Sequence, residues 1–124
     1  MTESQVQRAI VDYLRRVLPY AITHHSPNEG VRGGRAGYLD GAMAKAAGQV
    51  SGYPDIEVLL HAKNGGPVFF EVKSRTGRLS NSQAVMHDRL DALGYRVAVV
   101  RSIDDVRAAL ASWGVWTRES GGKS

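Results

Sequence analysis

The chain has 124 residues, no cysteine and a net charge of +4, with 12 Arg and 4 Lys against 12 acidic residues. That length suits one hydrophobic core. The lack of cysteine excludes a disulfide framework, a thiolate nucleophile and any Cys-ligated metal site, and a hydrophobic share of 43% excludes wholesale disorder. An Arg-rich surface suits phosphate-bearing partners, because a guanidinium fork matches two phosphate oxygens at once. A solvated surface in an Arg-preferring, GC-rich genome accounts for +4 equally well. No run of about 18 apolar residues is present, so no membrane span is expected. The opening MTESQVQRAI lacks a basic segment followed by an apolar one, which points to the cytoplasm.

Along the chain, Val6, Ile10, Leu14 and Val17 recur at helical spacing, predicting a helix over 3–18, capped by Thr2 or Ser4 and ended by Pro19. Residues 20–25 (YAITHH) read as a short strand. Residues 26–37 (SPNEGVRGGRAG) form a loop with four Gly and two Arg, 38–47 a short helix, and 48–54 a second loop. Residues 55–61 and 67–73 are β-rich, and Asn64-Gly65 between them signals a hairpin turn. A helix over 80–93 follows, capped by Ser80 and stopped by Gly94, then a strand at 95–100 and a helix at 103–111 capped by Ser102. The expected organisation is one domain over 1–117 with a disordered tail at 118–124. The fold class is α/β, with helices flanking a small mixed central sheet, the helix between the central strand and YRVAVV making a crossover.

The hairpin concentrates the chemistry. With the turn centred near Lys63–Asn64, paired residue numbers sum to about 127, which sets Asp55 opposite Glu71 to Lys73. Alternation places Glu71 and Lys73 on one face. Ile56, Val58, Leu60, Val68, Phe70 and Val72 occupy the other, a core face that pins the register. Two carboxylates so close repel one another. A divalent cation relieves this: Mg²⁺ or Mn²⁺ takes oxygen ligands, with Asp55, Glu71 and the Val72 backbone carbonyl as candidate donors. Lys73 beside them suits orienting or deprotonating a water, or steadying negative charge on phosphorus. A solvated Glu71–Lys73 salt bridge is the plain alternative.

Gly52-Tyr53-Pro54-Asp55, Phe69-Phe70-Glu71-Val72-Lys73 and Leu79-Ser80-Asn81-Ser82-Gln83, followed by a helix and Val97-Ala98-Val99-Val100, together resemble the VRR-NUC family of the PD-(D/E)xK nuclease superfamily. Thr2 to Gln7 opening onto an amphipathic helix fits as well, so the likeness runs over residues 3–111. The resemblance implies a restriction-endonuclease-like core and a metal-dependent endonuclease, similar to homodimeric Holliday-junction resolvases that act on branched DNA. It also implies that Asp55 and Glu71 hold the metal, that Lys73 is catalytic and that Gln83 lies near them. Family members often add a helical Glu; Glu3 is the counterpart, with Gln7 one turn later as the alternative.

Arg32 and Arg35 in the glycine-rich loop, and Arg75 and Arg78 just after Lys73, are candidate DNA-phosphate contacts. Glu57 shares the Asp55 face and is read as solvated. His24 and His25 point to opposite faces of a strand and cannot readily share a metal. His61 and His87 receive no role. Aromatic residues are only 7%, which disfavours base stacking as the main binding mode. No GxxxxGK[ST] loop is present, so no nucleotide cofactor is expected. Tyr38, Leu39, Met43 and Ala46, with Trp113, Val115 and Trp116, offer material for a homodimer interface or simply cap the core. The competing function is a DNA-binding or assembly module that keeps the nuclease fold without cleaving.

Overall fold

The computed structural model describes residues 1–26, 48 and 50–121. Helix α1 (Glu3–Val17) starts in a capping box. The Thr2 hydroxyl accepts from the Gln5 backbone N–H, and the Gln5 side chain accepts from the Thr2 N–H, so two of the orphan donors at this helix start are satisfied. Its buried stripe of Val6, Ile10, Tyr13, Leu14 and Val17 lies on the sheet. The expected loop arginines Arg32 and Arg35, and the expected helix at 38–47 with Tyr38, Leu39, Met43 and Ala46, lie outside the described residues.

The sheet has the order β1 (Ile22–His25), β2 (Ile56–Leu59), β3 (Pro67–Val72), β4 (Arg96–Val100). The first three strands run antiparallel and β4 joins β3 in parallel. Such a parallel step needs a crossover, here supplied by helix α2 (Asn81–Ala92). The β2–β3 pairs Ile56–Phe70 and Val58–Val68 sum to 126, one less than the symmetric turn predicts. The connection is longer than a two-residue turn. It contains a 3₁₀ segment at Ala62–Asn64, and Gly65 and Gly66 take the positive φ values of 107° and 69°, which glycine adopts without steric cost.

Alternation sorts the strands' side chains as expected on one face. Ile56, Val58, Val68, Phe70, Val72 and Val100 join α1 and helix α3 (Ile103–Ser112) in the main core. The opposite face is also covered. Phe69 packs with Met86 and Leu90 of α2 and with Val97 in a smaller core. Glu71 therefore sits beneath a helix instead of on a solvated face.

The expected disordered tail is helical over its first four residues, and residues 122–124 lie outside the described residues. Residues Arg118–Gly121 form helix α4, which docks through Glu119. The buried Tyr13 hydroxyl donates to Glu119 Oε1 at 2.5 Å, and Arg107 donates to both Glu119 oxygens at 3.1 and 3.2 Å. The Arg107 guanidinium also lies 5.1 Å from the Tyr13 ring centroid. Trp113 packs on Phe70 and Val115 is buried, so both complete the core, whereas Trp116 is 50% exposed beside Tyr20. Burial, then the bond to Glu119, pushes the Tyr13 phenol up to about 12. Removing residues 118–124 is expected to lower Tm and shift one tyrosine back toward the ordinary range in a spectrophotometric titration; an unchanged Tm and titration curve would show that α4 does not hold Tyr13.

Candidate active site

Strand β2 begins only at Ile56, so the Val72 N–H at the end of β3 has no ladder partner there. The Asp55 carboxylate takes that place: Asp55 Oδ2 accepts from Val72 N–H at 2.8 Å. Pro54 is buried behind it, and the Ser26 N–H binds the Asp55 carbonyl at 2.8 Å. Asp55 is thereby tied by side chain to β3 and by backbone to the end of β1. The register sets it level with Glu71.

Glu71 is 1% exposed, and both its oxygens are engaged. Gln83 Nε2 donates to Oε2 at 3.3 Å, and His87 Nε2 lies 3.1 Å from Oε1. Gln83 and His87 are one helical turn apart on α2 and so share a face. Gln83 does double duty, because its Oε1 accepts from the Ser80 N–H in a capping box. Gln83, expected near Asp55, Glu71 and Lys73, thus bonds Glu71 directly. His87, to which the sequence assigns no role, stands beside the same carboxylate; its spacing of four from Gln83 was the available signal.

Burial first, and the neighbouring Asp55 carboxylate next, push Glu71 up to about 9; the Lys73 ammonium opposes them and Glu3 adds a little repulsion. A carboxylate in such surroundings favours its neutral form unless a cation compensates it. Burial holds His87 below the usual histidine range, with Lys73 pushing the same way. Lys73 is 8% exposed, under a turn in which Gly77 N–H donates to Ser74 Oγ at 3.1 Å.

Donor chemistry here suits Mg²⁺ or Mn²⁺, since Asp55, Glu71 and the Val72 carbonyl are all oxygen donors, and Lys73 supplies positive charge beside the buried Glu71 and the half-buried Asp55. Among the described residues no third His, Asp or Glu joins them in a metal-binding group. Glu3, expected as a further ligand, makes itself felt at Glu71 only through its charge, and Gln7 faces a different groove, walled by Arg8 and His25.

The G-x-P-D segment reaches this site by a close approach. Gly52 has φ +78°, and a Cβ there would lie 2.3 Å from the Ser82 carbonyl oxygen and 2.9 Å from Gln83 N. Only glycine lets the loop cross the first turn of α2 at this distance, which brings Asp55 and Gln83 to one carboxylate. Tyr53 then sets its ring edge-on to Phe69 at 5.7 Å. Glu57 lies against Tyr53, helping burial to raise its phenol. His61 stacks on Tyr20 at 5.2 Å, away from Glu71.

The loop after Lys73 is clamped from β4. Arg101 Nη1 donates to the Ser74 carbonyl at 2.5 Å and the Gly77 carbonyl at 2.7 Å. Arg75 and Arg78 are exposed on that loop, while Arg101 was not singled out from the sequence because its partners are backbone carbonyls 24 to 27 residues away.

The family model for the VRR-NUC domain matches residues 2–104. A solved structure described as a VRR_NUC domain protein superposes with a TM-score of 0.65 at 22% identity, covering 91% of this chain and 88% of that one; at that identity the likeness speaks for the fold. Comparison with curated proteins gives no match. No helix among the described residues is long and apolar enough to cross a membrane.

Two measurements test this geometry. In metal-free protein, Glu71 keeps its proton up to about pH 9 when folded but only to about 4.5 when unfolded. The folded state then binds more protons across that window, so stability falls as pH rises. His87, held neutral, works in the opposite sense below its ordinary range, so the clean window lies between about pH 6.5 and 9. In EDTA, Tm should decline across it, Mg²⁺ should flatten the decline, and Glu71→Gln should abolish it; an equal slope in Glu71→Gln would separate the effect from this carboxyl. Gly52→Ala should destabilise the protein by at least about 1–2 kcal/mol from the left-handed backbone alone, read by urea denaturation, and a wild-type midpoint would mean that the loop does not cross α2 so closely.

Proposed function

Because the chain belongs to the VRR-NUC domain family, a nuclease-type family, we propose that it is a metal-dependent endonuclease that hydrolyses phosphodiester bonds in branched DNA such as Holliday junctions, acting as a homodimer in the cytoplasm. The observation that carries this reading is the Asp55–Glu71 carboxylate pair, Glu71 buried and Asp55 half-buried, with Lys73 two residues on from Glu71. A buried carboxylate with a second acid beside it is costly without a cation.

Asp55, Glu71 and the Val72 carbonyl would hold Mg²⁺ or Mn²⁺, which when bound supplies Lewis-acid charge to the phosphate oxygens. The chain's own residues do the rest. Asp55 is kept in place by the Val72 N–H, and Glu71 by Gln83 and His87, so the two acids are preorganised. The Lys73 ammonium, beside them, orients the attacking water toward phosphorus and stabilises the negative charge that grows on the phosphoryl oxygens. Arg75 and Arg78, held outward by the Arg101 clamp, grip flanking phosphates and thus fix the strand's path. Two such sites on a twofold axis would reach the two symmetry-related strands of a junction. Tyr20, Ile22, Leu59 and Trp116 are exposed apolar side chains available for pairing.

The test is cleavage of Holliday, flap, nicked and linear DNA with Mg²⁺, with Mn²⁺ and with EDTA. Cutting is expected only with metal and preferentially at branches. Asp55→Asn and Glu71→Gln should abolish it while binding persists. Lys73→Ala should lose most activity, and Lys73→Arg should restore little, since a guanidinium differs in shape and does not give up its proton. Arg75→Ala and Arg78→Ala should each lower the slope of log affinity against log salt by about one. Tight binding of branched DNA without cleavage under any metal would favour a binding module instead, and a monomer on a four-way junction by light scattering would defeat paired cutting.

A further inference from the structure

Arg101 follows β4 where that strand lies beside the end of β3. Val72 pairs with Val100, and the Lys73 N–H donates to the Val100 carbonyl at 3.0 Å, so Arg101 leaves the sheet next to Lys73. Its guanidinium reaches over the turn that follows the lysine. Nη1 alone makes the contacts there. It donates to the Ser74 carbonyl at 2.5 Å and the Gly77 carbonyl at 2.7 Å, with the Arg75 carbonyl more distant at 3.4 Å. The same turn lies against the lysine on its other side. A Cβ on Gly77 would stand 3.6 Å from Lys73 Cδ, so one turn of chain separates the guanidinium from the Lys73 stem.

A guanidinium carries five N–H donors. Nη1 holds two of them, and the two short bonds use both. The other three, on Nε and Nη2, have no partner among the described residues, and the side chain is exposed. The carboxylate bonded to this residue, Asp105, accepts from its backbone N–H at 2.8 Å and not from its side chain. Nε and Nη2 together present two parallel N–H groups, the fork that matches two oxygens of one phosphate. An exposed arginine ordinarily loses rotamer freedom when it binds. Here the Nη1 end is already fixed, so the fork is held in place before any ligand arrives.

Holding the turn needs one nitrogen only, so the clamp leaves the fork unexplained. An ammonium and a guanidinium one turn apart also repel each other, and a phosphate strand that passes both relieves the repulsion. We propose that Arg101 is a substrate-binding residue, whose Nε–Nη2 fork takes the DNA phosphate flanking the one that Lys73 serves while Nη1 stays on the turn. The inference rests on the endonuclease reading for the identity of its ligand, and deepens it: the residue that fixes the turn over Lys73 also fixes the strand in front of it.

Binding is read by fluorescence anisotropy in the Glu71→Gln background, where cutting is expected to stop, on a branched DNA whose phosphates near the branch are replaced one at a time by uncharged methylphosphonates. At one position the replacement should weaken binding about tenfold, the loss expected for a charged hydrogen-bonded contact. Adding Arg101→Ala should bring a similar loss on intact DNA, lower the salt slope by about one, and make binding indifferent to the replacement at that position alone. A residue that only clamps the turn would weaken binding without singling out any phosphate, so an Arg101→Ala protein that stays sensitive to every replacement overturns the proposal. Arg101→Lys keeps the charge and a donor for the turn but has no fork, and it decides the matter if the alanine variant does not fold. It should keep the salt slope yet bind several-fold more weakly, and wild-type affinity in it would show that no fork is used. Cleavage of the same DNA by the chain with Glu71 intact separates the two readings. A matched phosphate without cutting in Mg²⁺ or Mn²⁺ would sink the nuclease reading and leave the Arg101 contact standing; cutting without a matched phosphate would do the reverse.

Discussion

A carboxylate sealed between a sheet and a helix, with another carboxylate beside it, is the constraint around which this molecule is arranged. Glu71 is almost fully buried, and Asp55 stands level with it across the hairpin. Each nearby group either lowers the cost of that burial or fixes where the charge lies. Gln83 and His87 occupy the two Glu71 oxygens, the Val72 N–H holds Asp55, and Lys73 brings the compensating charge. With only two acids gathered among the described residues, a cation bound there on the proposed reading would complete its coordination with backbone oxygen, water or phosphate. Such coordination would leave positions open to substrate, as the proposed chemistry on a phosphodiester requires.

Such a site cannot stabilise itself, so its geometry has to be imposed from elsewhere. Alternation along β3 does this. Phe70 and Val72 point into the main core under α1 and α3, which fixes the backbone that aims Glu71 and Lys73 the other way. The second constraint is Gly52. Its backbone meets the first turn of α2 where no Cβ fits, so the loop bearing Asp55 and the helix bearing Gln83 are placed by one contact. The third is Arg101, whose donors go to the carbonyls of the loop after Lys73. Three segments far apart in sequence are thereby locked onto one short strand end.

Much of this was legible in the sequence, because period-two and period-3.6 patterns are local. The capping residues Thr2, Ser80 and Ser102 and the core face Ile56, Val58, Val68, Phe70 and Val72 follow from spacing alone. The hairpin register was readable to within one residue, the error coming from a 3₁₀ segment where a tight turn was expected. Features that depend on distant partners were not legible. Helix α2 buries little besides Met86 and Leu90, too weak a stripe to reveal that it covers Glu71. His87 gains its place only through that packing. Glu119 reads as part of a polar tail until Tyr13, 106 residues earlier, is seen to donate to it.

The charge distribution follows the same division of labour. A net charge of +4 is modest, and a uniform basic surface would draw nucleic acid anywhere on the molecule. Exposed arginines stand on the loop after Lys73 and on α1. Arg75 and Arg78 ride the loop that leaves Lys73, and Arg8 and Arg15 face the groove whose strand is tied to the Asp55 carbonyl. On the proposed reading, phosphates attracted to either element approach the acid pair, where the Asp55 carboxylate opposes them unless a cation intervenes. On that reading, attraction at the rim and repulsion at the centre would make the metal ion a condition for productive binding as well as for chemistry.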